Sequence, residues 1–74
     1  MKKPETLADR LRFARQERRL TQEELAQAAG VGVATVRRAE GGSFEPRLDT
    51  IRRLADTLEV RVGWLAAGEE PMAE

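Results

Sequence analysis

Along this chain, apolar side chains recur at spacings of three and four, the repeat of helices that each bury one stripe. Leu7, Leu11 and Ala14 form the first stripe, in a segment that Thr6 and Asp9 can cap and that runs to about Arg18. A second segment starts at Thr21, which has Glu24 three positions on, the spacing of a capping box in which each side chain accepts the other residue's main-chain N–H. Leu25, Ala26 and Ala29 face inward there, and Gly30 ends the segment because it adopts a left-handed conformation without steric cost. Only Val31 and Gly32 precede a third helix, Val33 to about Glu40, with Val36 and Ala39 inward and Thr35, Arg37 and Arg38 outward, until Gly41 and Gly42 break it. The stretch GGSFEPR reads as a loop, since Pro46 disfavours helix at Glu45. Leu48, Ile51, Leu54, Ala55 and Leu58 mark a fourth helix, and a short fifth spans about Val62 to Ala67 before Gly68. The expectation is an all-α domain over residues 1–68, followed by a frayed, acidic tail at 69–74.

Composition narrows the chemistry. Leu, Ala, Arg, Glu and Gln dominate while Tyr is absent and Trp occurs once, which favours helix over strand. At 74 residues without cysteine, the chain holds one domain whose core rests on packing alone. Lacking both Cys and His, it lacks the usual ligands of transition metals and the usual bases of catalysis, so neither a metal, a cofactor nor an enzymatic activity is expected. No apolar run approaches the roughly 20 residues that span a bilayer, and MKKPETLADR has no apolar core of a signal peptide, so the expected location is the cytoplasm, away from membranes.

Formal charge sums to zero, yet the charges are segregated. Lys2, Lys3, Arg10, Arg12, Arg15, Arg18 and Arg19 outnumber the acids of the first 20 residues, and Arg37, Arg38, Arg47, Arg52 and Arg53 outnumber those of residues 35–53. Beyond residue 53, Arg61 stands alone among acids. A basic front and an acidic end follow, although such arginines also serve simply to solvate helix faces.

The stretch from Gln22 to Gly42 has a steric logic. Two helices that cross steeply after a short turn need a small side chain where they touch, a residue tolerant of positive φ at the corner, and an apolar seal on the second helix. Ala26, Gly30 and Val36 supply these at offsets of 0, 4 and 10. This stretch, with LRFARQERRL before it and PRLDTIRRLADTLEV and VRVGWLAAG after it, resembles the Cro and XRE-type helix-turn-helix domains, including the phage repressor DNA-binding domains, over about residues 7–68. The resemblance implies a five-helix, lambda-repressor-like fold. It also implies a sequence-specific transcription regulator, repressor more often than activator, that reads double-stranded DNA through the major groove.

On that resemblance Val33, Ala34 and Arg38 match base-reading positions, with Thr35 and Arg37 beside them on bases or phosphates. Arg38 can donate twice to guanine O6 and N7, worth about 1–3 kcal/mol of discrimination, whereas Val33 and Ala34 offer only apolar contact. A solvated helix face is the other reading of Arg37 and Arg38. Gln22 matches a glutamine that hydrogen-bonds a phosphate at a helix N-terminus, though it also reads as an ordinary polar residue of a first turn. Arg47 matches a loop position where relatives can place an arginine on the DNA backbone or in the minor groove, though they often have a capping Ser there. Arg15 and Glu40 match a partly buried ion pair of structural purpose. Trp64 and Leu65 match the surface through which repressor relatives form homodimers on pseudo-palindromic operators; the lone Trp equally reads as completing the core.

Several positions depart from the family pattern. Arg19 and Glu59 stand where relatives often have glycine, so they either take a left-handed conformation or the helices end differently. Gly32 replaces a capping Ser or Thr, and Ala39 replaces a larger core residue whose space Phe13 or another side chain fills. Phe44 reads as a core lid, a dimer contact or a DNA contact. A competing function is a protein-interaction or antitoxin-like module on the same fold, which the neutral net charge leaves open. RNA recognition by stacking has few aromatic platforms to use.

Overall fold

The computed structural model describes residues 4–73. Five helices follow one another, α1 (Leu7–Glu17), α2 (Gln22–Ala29), α3 (Val33–Gly41), α4 (Leu48–Leu58) and α5 (Val62–Ala67), with no strand among the described residues. Start signals act as the sequence suggests: Thr6 Oγ1 accepts the Asp9 N–H at 3.0 Å, and Thr21 and Glu24 exchange both bonds of their capping box, at 3.0 and 2.8 Å. One boundary differs. Gly41 is the last residue of α3 and only Gly42, at φ 74°, leaves the helix, because a single left-handed residue is enough to close it.

Four of the helix ends share one closure. The N–H just after the left-handed residue reaches back five positions while the N–H of that residue reaches back three, as in Val31 to Ala26 O at 3.0 Å and Gly30 to Gln27 O at 3.3 Å. Gly30 and Gly42 occupy the left-handed position in α2 and α3, but Arg19 (φ 56°) and Glu59 (φ 57°) occupy it after α1 and α4. Both departures from glycine are therefore accommodated by left-handed backbone, with Leu20 and Val60 tucked against the core just beyond. Arg18 and Glu59 pair at 2.8 Å, joining these two corners.

Leu11, Leu25, Val36, Leu54, Leu58 and Leu65 form the fully buried centre, to which all five helices contribute. Helix α3 packs against both α1 and α2, α4 against α2 and α5, and α5 returns to α1. Trp64 and Leu65, placed by resemblance on a dimer surface, are 5% and 1% exposed and belong to this core. A 74-residue chain has so few large apolar side chains that its one Trp is consumed inside. Residues 69–73 are not frayed. Arg61 N–H donates to Met72 O at 2.8 Å, Glu69 N–H to Gly63 O at 3.2 Å, and Met72 packs on the core, drawing the tail across the start of α5.

Ala39 is buried, and a cleft of about 300 Å³ lies beside it, lined by Leu7, Ala8, Ala39 and Phe44 among others; Phe13 packs half-buried on the core. Phe44 stands over that cleft 40% exposed, as an incomplete lid.

Candidate nucleic-acid interface

The corner between α2 and α3 sets the interface. Ala26, 3% exposed, lets the two helices meet closely, and Gly30 turns the chain at φ 72° while its carbonyl accepts from Arg53 Nη1 of α4 at 3.4 Å. With Val36, Ala39 and Glu40 buried, the opposite side of α3 faces solvent, and the 3.6-residue repeat puts Ala34, Arg37, Arg38 and Gly41 there. Val33 and Thr35, assigned to base reading with them, are half-buried, and Val33 packs on the core. The N-cap Gly32 supplies no side-chain acceptor to α3.

The two arginines of this face are in different states. Arg37 Nη2 lies 2.9 Å from Glu23 Oε2 of α2, with both side chains more than half exposed. The Arg38 side chain is exposed and makes no hydrogen bond or ion pair among the described residues. Arg47 is exposed at the N-cap of α4, without a side-chain capping bond, so the loop presents its guanidinium to solvent.

Behind this face lies a polar hub. Glu40, 4% exposed, accepts from Arg15 Nε at 2.6 Å and Nη2 at 2.9 Å, and Arg15 Nη1 donates to Leu20 O at 2.8 Å. Gln22 Nε2 donates to the same carboxylate at 3.2 Å, and Arg12 Nη1 donates to the Glu40 carbonyl at 3.1 Å. The hydrogen bond to Glu40 raises the Arg15 pKa above its ordinary value; burial opposes this and the charges of Glu40 and Glu23 assist it. Gln22 is thus half-buried and engaged from within, with one amide hydrogen committed to Glu40.

The basic front of the sequence is largely engaged by partners within the molecule. Arg12 pairs with Asp9, Arg15 with Glu40 and Arg18 with Glu59. Arg10 is 7% exposed, its guanidinium donating to Leu65 O at 2.9 Å, Glu5 O at 3.0 Å and Ala66 O at 3.2 Å. This residue escaped sequence reasoning, because carbonyls at the end of a helix 55 positions away leave no mark in the sequence. Lys2 and Lys3 lie outside the described residues. The unpaired cations among the described residues are Arg19, Arg38, Arg47 and Arg52. None of the described residues forms a His, Cys, Asp or Glu group able to hold a metal ion, and no described helix is long and apolar enough to cross a membrane.

A family model described as helix-turn-helix matches residues 11–65. Among curated proteins, the transcriptional repressor RstR of the cryptic phage CTXphi of Vibrio cholerae is 36% identical over 63 residues, covering 85% of this chain and 57% of the relative. The chain therefore spans little more than half of that protein's length. Among solved structures, the P22 c2 repressor in complex with a synthetic operator has a TM-score of 0.81 at 22% identity, over 86% of this chain and 97% of that one. The restriction-modification controller protein C.AhdI of Aeromonas hydrophila has a TM-score of 0.76 at 32% identity, over 80% of this chain and 89% of that one.

Proposed function

The chain belongs to the Cro and XRE-type helix-turn-helix family, and on that premise we propose that it is a DNA-binding transcription regulator that enters the major groove with α3. The observation that carries this reading is the outward face of α3, where unpaired, exposed Arg38 stands beside Ala34 and Gly41 on a helix fixed from behind by Val36 and Glu40. Small neighbours let the helix approach base edges closely, and Arg38 supplies the two donors that guanine accepts. Ala34 offers apolar contact, as to a thymine methyl, while half-buried Val33 and Thr35 contribute at the margin of the face. Gln22 and Arg47 fix the backbone register.

Size supports paired reading. The longest extent of the molecule is 27 Å, less than the roughly 34–36 Å between successive major grooves on one face of DNA. One copy reads one half-site, and a pseudo-palindromic operator engages two. The burial of Trp64 and Leu65 within one copy supports a meeting of those copies through other residues. The repressor names of RstR and the P22 c2 protein support repression as the sign of regulation.

Selection of duplexes from a random pool tests the function. An enriched, two-fold symmetric site is expected, with affinity falling steeply with salt at about −0.9 in log-log slope per neutralised phosphate. Arg38→Ala should relax the selected sequence at a guanine and cost about 1–3 kcal/mol. Recovery of no enriched sequence would remove the proposal and favour a protein partner for the same surface.

A further inference from the structure

Gln22 opens α2 with its side-chain amide against Glu40 Oε1. A carboxylate only accepts, so the amide must turn its nitrogen inward and cannot present it in either of two flipped orientations. One N–H is used; the second is left at the first turn of α2, where the main-chain N–H groups of Gln22 and Glu23 have no partner within the helix. Glu40 is itself held by two N–H groups of Arg15 and, through its carbonyl, by Arg12. Without that anchor, a glutamine on a first turn is free to rotate, and half of its orientations offer an oxygen that repels an anion.

We propose that Glu40 is a positioning residue for DNA binding: it fixes the Gln22 amide so that the second hydrogen is donated to a backbone phosphate. The inference rests on the reading of this chain as a DNA binder. It gives the buried Arg15–Glu40 pair a part in affinity as well as in folding, since the same carboxylate serves both.

The test uses the full chain and the duplex that it selects from a random pool. Gln22→Ala should weaken binding about tenfold, the worth of a hydrogen bond to a charged group. Glu40→Gln should weaken it comparably below its melting point, and the double variant should lose no more than either single one. A purely structural Glu40 would instead give losses that multiply, or none, and either result overturns the proposal. Should Glu40→Gln fail to fold, the wild-type chain decides: among the Gln22 side-chain amide proton resonances, titration with the duplex should move one and leave its Glu40-bonded neighbour in place. Movement of both or of neither overturns the positioning role. A pool that yields no selected duplex overturns the DNA-binding reading and this inference with it, whereas a selected duplex with multiplying losses removes the inference alone.

Discussion

At the scale of single residues, the costs sit where side chains occupy backbone conformations or environments that they do not favour. Arg19 closes α1 at φ 56° with no side-chain partner among the described residues, so its Cβ is strained without compensation. Arg19→Gly should stabilise the domain by about 1 kcal/mol, raising the melting temperature by roughly 4–8 °C in a chain of this size; an unchanged or lowered melt would show that the strain is absent. Arg15 is the opposite case, since it and Glu40 are nearly buried at 14% and 3% exposure. Arg15→Ala leaves that carboxylate uncompensated and should cost ~3–5 kcal/mol, a large share of the stability of any small domain. The Arg15 pKa is raised by folding, so its stabilisation is complete below the ordinary arginine value and is lost only as pH climbs through the raised one. The loss on Arg15→Ala, read by thermal melts, should therefore be the same at about pH 6 and about pH 9. The sequence made Arg19 and Glu59 visible as missing glycines, because a helix end needs a positive φ, but not Arg10, whose carbonyl partners are set by tertiary placement alone.

At the scale of elements, helices were legible because their punctuation is local: a capping box at Thr21, left-handed glycines at Gly30 and Gly42, a proline at 46. The outward face of α3 followed from its period. What the period did not reveal is how α2 bears on that face. Glu23 holds Arg37 at 2.9 Å in the open, a pair worth no more than about 1 kcal/mol, and it places a negative charge in the first turn of α2, where a phosphate is expected to sit. A DNA phosphate must displace or share that guanidinium against the nearby carboxylate. Glu23→Gln should accordingly tighten binding to the selected duplex several-fold and steepen its salt dependence, with the melting point almost unmoved, since exposed pairs contribute little. Weaker binding by Glu23→Gln in a titration at fixed salt would mean that Glu23 itself touches DNA, for instance a cytosine amino group.

At the scale of the whole molecule, the five helices share so small a core that surface and interior compete for the same side chains. Resemblance placed Trp64 on a surface between two copies, and composition left it equally a core residue; its 5% exposure within one copy supports the core reading. The large apolar side chains exposed among the described residues are Phe44 at 40%, on the connection into α4, and Leu48 at 53%, the first residue of α4, both far in sequence from α5. The two roles predict different behaviour. Trp64→Phe removes part of an indole from a packed interior and should cost about 1–2 kcal/mol, lowering the melting temperature by several degrees at every protein concentration. A residue of an interface would act through mass action instead, so its effect would shrink as the chain is diluted and the copies separate. A melting-point loss for Trp64→Phe that vanished on dilution would instead place this side chain on the surface between copies.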